Sequence, residues 1–80
     1  MTTERERITR LVAIRVFERR GIMGLTQLDV TRRCGWAGEG QMVSHIECGR
    51  RLPGAMLLLD LADALACSTD YLLGRTDEPR

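Results

Sequence analysis

The sequence predicts an all-α domain of five short helices. Apolar residues recur at helical spacing. The β-branched residues are scattered and form no strictly alternating run. Eight glycines and two prolines cut the 80 residues into short segments, and that length suits one small domain over 1–80, with a core of about 4–74 and a flexible tail at 75–80.

The first segment covers about 3–20. Thr3 and Glu6 have the spacing of a capping box. Ile8, Leu11, Val12 and Val16 repeat at helical intervals, Ile14 and Phe17 widen that apolar face, and Gly21 supplies a stop. The second segment covers about 26–34, with Thr26 as N-cap, Asp29 in the first turn, and Val30 and Cys34 stacked one turn apart. The third covers about 40–48, with Val43 and Ile46 inward and Gly49 at its end. The fourth covers about 54–66, led by Pro53, with Leu58, Leu61, Ala62 and Leu65 as its inner stripe. The fifth covers about 69–73, capped by Ser68 or Thr69, with Tyr71, Leu72 and Leu73 packing back.

Charge is unevenly placed. Residues 1–51 hold ten Arg and six acids, net +4, while residues 52–80 hold two Arg and five acids, net −3. That split offers one face to a polyanion and turns another away. All twelve basic residues are Arg; the missing Lys is the expected mark of a GC-rich coding sequence, though Arg also suits phosphate and guanine. The longest apolar run is the five residues 55–59, and no apolar leader opens the chain, so a soluble, cytoplasmic protein is expected. Cys34, Cys48 and Cys67 form no disulfide framework, and with His45 they match no recognised zinc spacing. Cys34 and Cys67 read as buried apolar thiols. One His, no phosphate loop after a strand and no paired acids argue against an enzyme and imply no cofactor.

The second and third segments are two short helices joined by a glycine-containing turn within a basic first half, which is how a helix-turn-helix reads. Four stretches then stand in order: Gly24-Leu25-Thr26-Gln27; Val43-Ser44-His45-Ile46-Glu47-Cys48-Gly49-Arg50-Arg51-Leu52-Pro53; Leu58-Leu59-Asp60-Leu61-Ala62-Asp63-Ala64-Leu65; and Thr69-Asp70-Tyr71-Leu72-Leu73-Gly74-Arg75-Thr76-Asp77. Together they make the chain resemble the phage repressor and Cro-like (Xre) helix-turn-helix family over about residues 10–78. The resemblance implies a five-helix lambda-repressor-like fold and a sequence-specific transcriptional regulator. Such a protein would be a repressor bound as a homodimer to a palindromic operator in duplex DNA. One departure stands out: the stretch from Gly35 to Val43 is about two residues longer than the commonest family spacing. Gly38 and Gly40 favour an enlarged turn over an extended recognition helix. Trp36 is expected to pin that turn to the core, with a base or sugar contact as the alternative.

Base contacts are expected from Gln41, Ser44 and His45 at the start and outer face of the third helix. Met42 is divided between a thymine methyl and packing. By resemblance, Gln27 binds a phosphate and braces the recognition helix, while Arg20 and Glu47 form an ion pair tying helix one to helix three. Arg50 and Arg51 read as phosphate clamps, and Arg32 and Arg33 as weaker ones. Met56 and Leu57, with Tyr71 and Leu72, are expected at a dimer interface. The rival reading is a protein-interaction module, an antitoxin or adaptor whose fourth helix docks a protein partner.

Overall fold

A computed structural model describes residues 2–80. These form α1 (Glu4–Ile22), α2 (Gln27–Cys34), α3 (Gln41–Glu47), α4 (Ala55–Ala64) and α5 (Thr69–Leu72), with no strand among the described residues. The architecture is all-α, as the sequence predicts. α1 packs on α3 and α5, α2 packs on α3 and α4, and α4 packs on α5. The core draws on all five helices: Val12 and Val16, Val30, Val43 and Ile46, Leu58, Leu61 and Leu65, and Leu72. Ile14 and Phe17 are not part of it. They lie 47% and 58% exposed, because the α1 stripe through Val12 and Val16 already fills the contact with α3 and α5.

Helix starts follow the sequence signals. The Thr3 hydroxyl accepts from the Glu6 amide at 3.1 Å, and the Thr26 hydroxyl accepts from the Asp29 amide at 3.0 Å. Both carboxylates reach back to the cap amide, completing two capping boxes. The Asp29 carboxyl is held below its ordinary value chiefly by its hydrogen bond from the Thr26 amide. Ser68 caps α5.

Helix ends share one device. After each helix a residue turns left-handed, and the amides at and after it fold back onto the last helical carbonyls. Those residues are Gly24, Gly35, Gly49, Ala66 and Gly74. This corrects two expected ends. Gly21 does not stop α1; it stays helical, and the reversal waits for Gly24. α4 ends two residues before the expected Ala66, because Ala66 itself takes the reversing position at φ 54°.

Three arginines close that α4 terminus. Arg19 donates to the carbonyls of Leu65 and Ala66, at 3.0 and 3.2 Å. Arg33 reaches the Ala64 carbonyl at 3.4 Å, and Arg80 the Ala66 carbonyl at 2.8 Å. Cations at a helix C-terminus complement its partial negative charge. The segment expected to fray is also tied down. Arg15 donates to the carbonyls of Tyr71 and Thr76 and pairs with Asp77 at 2.8 Å, and the Ser68 amide donates to the Pro79 carbonyl at 2.7 Å. Sequence reading placed Arg15, Arg19 and Arg80 only as net charge and Arg33 as a weak phosphate clamp, so it missed what holds residues 75–80.

Candidate nucleic-acid interface

The connector between α2 and α3, residues 35–40, is an enlarged turn, and α3 starts at Gln41 without an N-terminal extension. Two contacts fix it. The Trp36 indole Nε1 donates to Asp60 on α4 at 3.0 Å, so the half-buried ring pins the turn to the body. Gly40 is buried at φ 114°, and a Cβ there would lie 3.3 Å from the Cβ of Gln27. Only glycine lets the start of α3 approach the start of α2 this closely.

Val43 and Ile46, both fully buried, anchor α3 from beneath. The opposite face carries Gln41 and His45, exposed, and Ser44, half-buried. Met42 packs against the core, which favours its packing role. Gln27, Glu39, Gly40, Gln41, Ser44 and His45 line one shallow concavity. Four residues singled out from the sequence, Gln27, Gln41, Ser44 and His45, therefore meet on one surface. Gln41 is already engaged: its Oε1 accepts from the Glu39 amide at 2.7 Å, leaving Nε2 to donate outward.

Behind this surface sits a three-residue clamp. Arg20 donates through Nε and Nη2 to the two Glu47 oxygens, at 2.7 and 2.9 Å, and through Nη1 to the Leu25 carbonyl at 3.0 Å. Gln27 Nε2 donates to Glu47 Oε1 at 3.1 Å. The Glu47 side chain is 6% exposed and that of Arg20 19%. Arg20 is pushed above its ordinary value, chiefly by the Glu47 hydrogen bonds. α1, α2 and α3 are thus held at one carboxylate, and Gln27 braces α3 through it.

Arg50 and Arg51 follow α3 in an exposed loop, and Arg50 is placed by its backbone amide, which donates to the His45 carbonyl at 3.0 Å. Arg32 is exposed, whereas Arg33 is drawn toward α4. Tyr71 and Leu72 lie inside the monomer, 8% and 0% exposed, so they offer no surface to a second copy. Met56 is 71% exposed, Leu59 51%, and Leu57 half-buried. Cys48, the residue that ends α3, reads from the sequence as an incidental thiol. It is exposed, one turn beyond Ser44 and on the same face of α3; the i, i+4 spacing from Ser44 was the available signal. Among the described residues no group of His, Cys, Asp and Glu gathers as a metal site, and no helix is long and apolar enough to cross a membrane.

No protein-family profile and no solved structure matches the chain. Among curated proteins it is similar to the uncharacterized HTH-type transcriptional regulator y4dJ of Sinorhizobium fredii. The two are 44% identical over 55 residues, 69% of each chain. With two short helices joined by a pinned turn and that likeness across most of its length, the chain belongs to the family of HTH-type transcriptional regulators.

Proposed function

We propose that the chain is a DNA-binding transcriptional regulator of the phage repressor-like kind, which enters the major groove with α3 and represses by occupying a palindromic operator as a homodimer. The observation that carries this reading is the gathering of Gln41, Ser44 and His45, on an α3 anchored by two fully buried residues, with Gln27 of α2 around one concavity. Gln41 and His45 read base edges, and Ser44 assists from the same face. Gln27, Arg50 and Arg51 hold phosphates on either side. A two-bond grip on adenine asks the Gln41 oxygen to accept a second bond beside that from the Glu39 amide or to leave it; donation from Nε2 alone asks neither.

The test is selection of bound fragments from random duplex DNA, followed by binding of Gln41→Ala to the selected site. The variant is expected to lose about 1–3 kcal/mol and to relax preference at one base position. Failure to enrich any fragment would overturn the reading. It would favour the protein-interaction module, for which the exposed Met56 and Leu59 are the supporting observation.

A further inference from the structure

The twelve arginines divide by what their side chains touch. Arg7, Arg15, Arg20 and Arg75 lie against carboxylates, and Arg19, Arg33 and Arg80 against backbone carbonyls. Arg5, Arg10, Arg32, Arg50 and Arg51 are exposed and have no side-chain partner among the described residues. Three of these five, Arg5, Arg10 and Arg50, line a single open groove of about 530 Å³ between the outer side of α1 and the loop after α3. Two acids also line it, and both are engaged: Glu6 in the Thr3 capping box and Glu47 in the clamp with Arg20. Glu47 is neutralised by Arg20, whereas Glu6 bonds only to neutral groups and keeps its charge, so three guanidiniums against one carboxylate leave the groove a net two positive charges. Cys48 forms part of its wall and also continues the outer face of α3, so the groove opens where that face ends.

We propose that this groove is a second track for the DNA backbone, in which Arg5 and Arg10 of α1 grip phosphates beyond those held by Arg50. The inference rests on the DNA-binding reading above and extends it to a helix outside the helix-turn-helix. Guanidinium forks suit phosphate oxygens, and positions exposed without a partner give up no internal bond on binding. Each phosphate neutralised releases counterions, so the contact registers in the salt dependence of binding.

The experiment compares wild type with the double variant Arg5→Ala/Arg10→Ala on DNA selected by the wild type, by fluorescence anisotropy across a salt series. The slope of log affinity against log salt is expected to fall in magnitude by about 2, with base preference unchanged. Arg5→Lys/Arg10→Lys keeps the charge and is expected to restore most of the slope. Arg7→Ala, on the same helix but outside the groove and paired with Glu4, is expected to leave it unchanged. An unchanged slope in the double alanine variant overturns the proposal while leaving the DNA-binding reading intact, and so does an equal fall in Arg7→Ala. If the wild type binds no DNA, the reading and the proposal fall together. Thermal unfolding of the two double variants, followed by circular dichroism, is expected to match wild type, because neither Arg5 nor Arg10 has an internal side-chain partner.

Discussion

At the residue scale, Glu47 has the most to lose. Its side chain is nearly sealed and receives three hydrogen bonds from two helices. Removing it strands a guanidinium that is only 19% exposed. Glu47→Ala is expected to cost about 3 kcal/mol in chemical denaturation, far above an exposed pair such as Arg7–Glu4. A midpoint equal to wild type would show that the clamp contributes nothing. Cys34 gives a pH prediction. Burial, helped by Asp60 and Asp63, pushes its thiol from 9.0 up to about 11. The unfolded chain therefore releases this proton first, and the thiol's contribution to stability drains away as pH rises from about 9 to about 11. Cys34→Ala is expected to shrink that alkaline loss, read as the unfolding midpoint against pH. Cys67, also raised by burial, leaves a smaller residue of it. The partnership of Arg20 with Glu47 and the brace from Gln27 were legible from family resemblance, but not that Gln27 acts through the Glu47 carboxylate, because nothing in spacing orients an amide.

At the element scale, all five helices close with the same left-handed reversal, and only α4 does so without glycine. A left-handed residue with a Cβ costs roughly 1–2 kcal/mol, while glycine costs roughly 0.5–1 kcal/mol in added freedom of the unfolded chain. Ala66→Gly is therefore expected to stabilise the protein by about 0.5 kcal/mol, seen as a higher denaturation midpoint. A lower midpoint would mean that the Arg19 and Arg80 bonds at this carbonyl need the alanine backbone. The same device explains which boundaries the sequence could reveal. Starts were legible because Thr3 and Thr26 act through their own side chains. Ends were less so: two glycines compete at the close of α1, and alanine gives no sign of a reversal at the close of α4. Ile14 and Phe17 misled for a related reason, since periodicity locates a stripe but not its width.

At the scale of the whole molecule, one protomer measures 35 × 25 × 21 Å and carries one α3. Helix-turn-helix half-sites lie about 34–36 Å apart, so a palindrome requires two protomers side by side. The surface available for pairing at the α4 end is Met56, Leu57 and Leu59, since Tyr71 and Leu72 belong to the core. Sedimentation at tens of micromolar is expected to give twice 9.0 kDa, with Met56→Glu shifting the protein to monomer. A wild-type monomer at that concentration would exclude pairing through this face. The charge split seen in the sequence persists in space only in part. Seven of the arginines are engaged by carboxylates or carbonyls, and the five without partners lie on α1, the end of α2 and the loop after α3.

The single tryptophan turns the enlarged connector into an optical reporter. Its indole is bonded to α4, yet it sits on the segment that delivers α3. Emission therefore follows the docking of that segment, whereas far-ultraviolet ellipticity follows the helices. Comparing the two during a titration separates a loosened hinge from a melted domain with no label attached.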